Sequence, residues 1–286
     1  MITKDFVTFE ELFWLSGHSQ GWIGLCSPNF TPINDTFWVM TFNSWGDEHD
    51  KDDQLFYLTS SDVQAWEAGP RGSSEPAYYP LASSLTSEVR AIDAAVAPVT
   101  LPNGTAAWLL AYKREESPVF AIAPFGGEGL DGHFTDLAGL SFSRRDGSPD
   151  LATHENWDFL VGPDGRWRVV SSDYGLTVSG ARTSWVYTQA DHGDFTKWEN
   201  GYPIPVNESW YNNDDRANAG AIADWRHIDA VGAYVFVYAG NTVKSKHEFA
   251  GRGHNRLGFA TSPDLETWTT LPASPAPPVA KLRAEV

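Results

Sequence analysis

Three segments of the chain repeat a spacing: "LTSSDVQAWE" (58–67), "DHGDFTKWEN" (191–200) and "ATSPDLETWT" (260–269) each place an apolar residue after an Asp and a Trp four positions beyond that Asp. Trp66, Trp198 and Trp268 stand 132 and 70 residues apart. With a degenerate copy near "LDGHFTDL", the period becomes about 66 residues, a length suited to a four-stranded blade. Between these marks, short apolar runs alternate with Gly, Pro, Asn and Asp, the pattern of short strands and turns. The one helix signal is "TFEELFWL", where Thr8 and Glu11 form a capping box.

The same order recurs in each unit: strand, tight turn, aromatic strand, polar loop, strand, Asp-containing turn, Trp. Units are expected at Ser27–Glu67, Asp93–Leu137, Glu155–Glu199 and about Asn218–Thr269, with a fifth from the terminal segments. The reading is an all-β, five-bladed β-propeller forming a single domain over residues 1–286. In such a fold the starts of the first strands share a face with the loops joining second and third strands. Ser27, Asp93 and Glu155 are thereby grouped with loops 43–54, 112–118, 171–184 and 240–255.

Composition narrows the partners. The net charge of −17 repels phosphate backbones and anionic lipid, which argues against nucleic acid and membrane and is compatible with neutral sugars. The single Cys26 excludes an internal disulfide and a multi-cysteine metal site. The acidic N-terminal segment does not read as a secretory signal, so a cytoplasmic protein and a secreted one with its signal removed are equally consistent. Asn29, Asn34, Asn103 and Asn207 begin glycosylation-type triplets, relevant only in a secretory pathway. "GHSQG" (17–21) fits a nucleophile-elbow pattern, but the βαβ alternation that motif needs is missing. "DEHDKDD" offers calcium-type ligands without the Gly and terminal Glu of an EF-hand, and His247 and His254 do not form a zinc pattern, so no cofactor is expected.

Two further stretches, "RAIDAAVAPVTLPNGTAAWLLAYK" and "HENWDFLVGPDGRWRVVSS", each put an acid just before a first strand, then a Gly turn and a Trp-containing strand. With "SPNFTPINDTFW" they make the sequence resemble glycoside hydrolase family 43, five-bladed propellers acting mainly on furanosides and xylosides. That family opens three blades with Asp-Pro, Ile-Asp-Pro and Glu-Ala-Pro, carrying the general base, a pKa-modulating acid and the general acid. The resemblance implies that Glu155 is the general acid, with Asn156-Trp157 in place of Ala-Pro, and that Asp93 is the modulating acid, with Ala94 in place of Pro. Ser27 stands where the base belongs, and a serine hydroxyl has no useful basicity at neutral pH. The base is therefore sought among Asp47, Asp50, Asp52 and Asp53, with Asp47 and Asp53 first, or at Asp173.

Glycosidic cleavage needs a carboxylic acid at the leaving oxygen and a carboxylate across the ring. Burial beside Trp157 and the charge of Asp93 are expected to keep Glu155 protonated. Ser27, Trp45, His154, Trp157, Asp173, Arg182, His247, Arg252 and His254 are the expected substrate-binding residues, the two Trp as stacking surfaces. The implied activity is hydrolysis of a furanoside such as an arabinofuranoside, with an oligosaccharide or glycoside as partner. Two alternatives stay open: a sugar-binding propeller that lost catalysis with Ser27, and a phosphorolytic relative in which Arg252, Arg256 and His254 hold phosphate.

Overall fold

The computed structural model describes residues 24–45, 53–67, 78–86, 89–125, 129–150, 154–173, 184–204, 220–240 and 256–271, together with Phe6, Thr8, Glu10, Leu15 and Trp22. Among these the chain is all-β: four antiparallel-ladder sheets stand side by side as blades of a β-propeller. The first blade holds β1 (Gly24–Asn34), β2 (Phe37–Trp45), β3 (Leu55–Ser60) and β4 (Trp66–Glu67), with β5 (Tyr79–Pro80) pairing on β3. The second holds β6 (Ala91–Thr100), β7 (Ala106–Arg114), β8 (Ser117–Pro124) and β9 (Thr135–Asp136). The third holds β11 (His154–Val161), β12 (Trp167–Asp173), β13 (Ser184–Gln189) and β14 (Lys197–Pro203), and β10 (Ser141–Arg144) adds to its outer edge parallel to β14. The fourth holds β15 (Ala221–Trp225), β16 (Ala233–Gly240), β17 (Arg256–Ser262) and β18 (Thr269–Thr270).

These blades match the expected units. The repeated Asp and Trp form a clamp between third and fourth strands. Asp62 Oδ1 accepts the backbone N–H groups of Gln64 and Ala65 at 2.9 and 2.7 Å, and Asp264 Oδ1 accepts those of Glu266 and Thr267 at 2.8 and 2.7 Å. Asp194 does the same for Thr196 at 2.8 Å. In all three copies the Trp indole N–H then returns to the carbonyl of the apolar residue at 3.1 Å: Trp66 to Val63, Trp198 to Phe195, Trp268 to Leu265. The carboxylate satisfies the turn's orphan N–H groups, and the indole locks the turn and fills the gap behind the sheet.

Cores lie between successive blades. One joins Val39, Leu55 and Tyr57 to Val96, Leu110 and Tyr112; the next joins Leu109 and Phe120 to Trp157, Val169 and Trp198; the third joins Val170 and Val186 to Ile222, Tyr234 and Phe236. The first strands meet at the middle, β6 touching both β1 and β11, and β11 touching β15. Close approach there demands small side chains, and β6 supplies buried Ala91, Ala94, Ala95 and Ala97.

At the outer faces of the first and last blades, Trp22 packs on Phe56 and Tyr78, while Phe6 packs on Trp225 and Phe259. The rest of the terminal segments, from which a fifth blade is expected, lies outside the described residues. Of the expected helix at 8–15, Glu10 takes part in a β-bridge and is not helical. No helix among the described residues is long and apolar enough to cross a membrane.

A buried carboxylate fastens three blades. Asp158 on β11 accepts the backbone N–H of Phe159 at 2.9 Å and of Ile222 on β15 at 2.7 Å, and the Asn29 amide of β1 at 3.1 Å. Asn29 is itself buried and also reaches the Trp157 carbonyl, so it is no glycan acceptor in the folded chain. Burial outweighs these three donors and raises the Asp158 pKa to about 6 from 3.8.

The folded state therefore holds this proton more tightly than the unfolded chain, and stability should fall as pH rises from about 4 to about 6. Asp158→Asn should flatten that slope in urea unfolding. It should also cost roughly 1–3 kcal/mol, because an amide N–H then faces another donor. An unchanged slope would remove Asp158 as its source.

Candidate functional site

Three first strands carry the same irregularity. Register shifts between Cys26 and Asn29 in β1, Ile92 and Ala95 in β6, and Glu155 and Asp158 in β11 mark β-bulges. The leading residue of each bulge is left-handed: Ser27 at φ 51°, Asp93 at φ 62° and Asn156 at φ 53°. Left-handed backbone is unfavourable for L-residues, and short polar side chains tolerate it best. Asp and Asn, interrupting otherwise apolar strands, are the sequence trace of these bulges. The structural counterpart of Ser27 and Asp93 is thus Asn156, with Glu155 one residue ahead.

The bulges turn their side chains toward one another. Ser27 Oγ is hydrogen-bonded to Asp93 Oδ1 and lies 3.2 Å from Asn156 Oδ1. Asn156 Nδ2 faces Glu155 Oε1 at 3.4 Å, and Glu155 Oε2 forms an ion pair with Lys113 Nζ at 3.0 Å. Asp93, Glu155 and Lys113 are all buried. The first blade holds the β6 bulge by its backbone: Asn43 Oδ1 accepts the Asp93 N–H at 3.2 Å, and Thr41 donates to the Ala94 carbonyl at 2.7 Å.

The charges are unequally placed. Burial raises the pKa of Asp93; the Ser27 hydrogen bond and the positive charges of Lys113 and Arg90 oppose this without reversing it. Burial alone would lower the pKa of Lys113, but Glu155 and Glu116 more than offset that and raise it, so the ammonium stays charged. The expected environment of Glu155, an apolar wall and a neighbouring anion, is therefore corrected: its carboxylate is met by a cation from β7.

Other expected residues divide sharply. Trp45, half-buried at the end of β2, has the Arg90 guanidinium 5.8 Å from its ring centroid, and Arg90 Nε binds Asp53 Oδ2 at 2.9 Å. Asp53, two residues before β3, is thus buried against Arg90, which immediately precedes the β6 strand that carries Asp93. Trp157 is not a stacking surface: it is 2% exposed and packs on Phe120 and Phe142, because the bulge directs it into the core between second and third blades. His154 is also core, its Nδ1 2.9 Å from Ser171 Oγ and its Nε2 3.3 Å from Tyr187 Oη. Burial lowers its pKa to about 4, which keeps it neutral rather than substrate-facing. Segment 112–118 is no long loop but a tight hairpin between β7 and β8, and this puts Lys113 in the ladder opposite Ile92.

Asp47, Asp50, Asp52, Arg182, His247, Arg252 and His254 lie outside the described residues, as do the side chains of Asp173 and Arg256. Among the described residues no group of three or more His, Cys, Asp or Glu is arranged to hold a metal ion. Lys113 and Asn43 carry no mark in the sequence; a lysine in a buried ladder position next to an acid-bearing strand is the nearest signal.

Removing the ammonium should be costly. Lys113→Met should destabilise the fold by about 3 kcal/mol or more in urea unfolding, because it strips a cation from a buried carboxylate. The double variant Lys113→Met/Glu155→Leu should regain most of that loss. A single variant as stable as the parent would show that the pair contributes nothing.

No protein-family model and no curated protein sequence matches the chain. Solved structures do match its fold. A family 43 arabinoxylan arabinofuranohydrolase from Bacillus subtilis, solved with cellotetraose, aligns over 87% of this chain and 52% of its own at 14% identity and TM-score 0.55. An α-L-arabinofuranosidase from Podospora anserina, solved with cellotriose, aligns over 92% and 72% at 12% identity and TM-score 0.55. An α-L-arabinofuranosidase from Lactobacillus brevis aligns over 88% and 77% at 16% identity and TM-score 0.51. The chain spans about half the length of the first of these and about three quarters of the other two. It shares the propeller fold of the family 43 and family 62 glycosidase structures.

Proposed function

We propose that the protein is a glycoside hydrolase acting on a furanoside-type bond, such as that of an arabinofuranoside, with Asp93 and Glu155 as its carboxylate pair. The observation that carries the reading is their convergence. Paired bulges on two neighbouring first strands bring both carboxyl groups, buried, to one place at the meeting point of the blades. One is set against a hydroxyl and the other against a cation. Two carboxyl groups kept in different protonation states are what glycosidic cleavage requires. Strained backbone at all three converging positions is also typical of functional sites.

Structures similar in fold include arabinofuranosidases, and this supports the furanoside choice. Trp45, with its ring beside Arg90, is the described aromatic residue best suited to stack on a sugar next to the pair. We place the site on a five-bladed propeller closed by the terminal segments, supported by Phe6 on the last described blade and Trp22 on the first.

Ser27 itself favours a second reading, a sugar-binding propeller without turnover, because no carboxylate occupies that bulge.

The purified protein should release sugar from a 4-nitrophenyl arabinofuranoside or from arabinoxylan. Asp93→Asn and Glu155→Gln should each lower kcat/KM by roughly 100-fold or more with an unchanged circular dichroism spectrum. Unimpaired turnover by either variant would sink the assignment of the pair; arabino-oligosaccharide binding without release would select the second reading.

A further inference from the structure

Ser27 Oγ has one hydrogen and faces two oxygens, Asp93 Oδ1 and Asn156 Oδ1. The direction of the chain is fixed from its far end. Lys113 donates to Glu155 Oε2, and Asn156 Nδ2 is turned to Glu155 Oε1. Rotating the Asn156 amide would set its carbonyl against the Glu155 carboxylate, so Oδ1 is the atom facing Ser27. That oxygen can only accept, and the Ser27 proton satisfies it. A charged Asp93 would compete with Asn156 for that single hydrogen, whereas a neutral Asp93 donates to Ser27 and makes both oxygen contacts hydrogen bonds.

We propose that Ser27 is a proton relay, passing the proton of a neutral Asp93 carboxyl group to the leaving oxygen while Glu155 is the anionic member of the pair. This rests on the glycosidase reading and departs from the roles that the family resemblance implies, a general acid at Glu155 and a modulating acid at Asp93.

The surroundings agree. Arg90 precedes Asp93, Lys113 faces it from β7, Asn43 from β2, Ser27 from β1, and Glu155 and Asn156 from β11, the last also through a backbone hydrogen bond to the carboxyl. Among the described residues around it, Arg90 and Lys113 are the cations, and their pull on the carboxyl is outweighed by its burial. Lys113 instead forms its ion pair with Glu155. Asp93 is only 6% exposed, whereas Ser27 is half-buried and followed by the exposed Pro28. A proton leaving Asp93 for a bound glycoside therefore has the serine hydroxyl in its path.

The step balances. Ser27 Oγ gives its hydrogen to the glycosidic oxygen as the bond from that oxygen to the anomeric carbon breaks, the electron pair staying on oxygen. Asp93 replaces the hydrogen on Ser27. A water oxygen bonds to the anomeric carbon and loses one proton to Glu155. Asp93 ends as carboxylate and Glu155 as acid, and exchange with solvent resets both.

The test is an infrared difference spectrum at pH 7 of parent protein minus Asp93→Asn, alongside hydrolysis of a 4-nitrophenyl arabinofuranoside by the parent, Ser27→Ala and Ser27→Asp. A protonated-carboxyl band present in the parent, lost in Asp93→Asn and displaced in Ser27→Ala supports the relay. So does a loss of roughly 100-fold or more in kcat for Ser27→Ala with KM little changed. If Asp93→Asn does not fold, the displacement in Ser27→Ala alone decides. An active parent without the band, or an active Ser27→Ala, overturns the relay and leaves the glycosidase reading standing. Higher activity in Ser27→Asp than in the parent also overturns it, since an anion there would supply the base that Ser27 lacks. A parent that hydrolyses no glycoside overturns the glycosidase reading and the relay with it; the band then reports only where the proton sits.

Discussion

One hydroxyl group, Ser27 Oγ, holds together side chains from three blades. It can do so only because the backbone at Ser27, Asp93 and Asn156 is left-handed, which turns these side chains out of the regular alternation of their strands. Each such residue is locally unfavourable, by something on the order of 1–2 kcal/mol. The conformation persists because the surroundings over-determine it. Thr41 and Asn43 grip the β6 bulge from the first blade, and Asn29 and Asp158 fasten the β1 and β11 bulges two residues further on. Site and scaffold are thus one network: the residues that fix the blades to each other also aim the carboxyl groups.

The same burial has two opposite chemical results. Asp93 and Glu155 both lie in a water-poor interior, where an isolated carboxylate would be strongly disfavoured. Glu155 meets a full positive charge on Lys113, whereas Asp93 meets a neutral hydroxyl. On the proposed reading, separating two acids in this way, by partner and not by distance from water, is what would make a proton donor and a proton acceptor from like residues.

Blade boundaries were legible in the sequence because the clamp that closes a blade is local. Asp62, Asp194 and Asp264 need only the next few N–H groups, and Trp66, Trp198 and Trp268 only a carbonyl three residues back, so the signal survives in a linear string. The degenerate second copy near Phe134 lacks the Trp yet still supplies a fourth strand, β9, at the same point of its blade. Asp93 and Glu155 were legible as acids at strand starts. The bulges were not, since register shifts arise from pairing with a neighbouring strand. Without them, Asn156 could not be recognised as the counterpart of Ser27, and Trp157 and His154 seemed to face a ligand when the shifted register sends both into the core. Lys113 was hidden for a similar reason. The stretch around it is polar enough to suggest an open loop, but a two-residue turn at Glu115 and Glu116 keeps Lys113 in the ladder, beside Glu155.

The central claim is that the bulges of three blades build one sugar-cleaving centre around Ser27. A crystal structure with a furanose-shaped, cationic iminosugar tests it most directly. The ring is predicted to lie over Ser27 with its nitrogen in contact with Glu155, and Ser27 to remain within hydrogen-bonding reach of Asp93. An iminosugar bound away from these residues, or a Ser27 that meets neither Asp93 nor Asn156, would contradict the account.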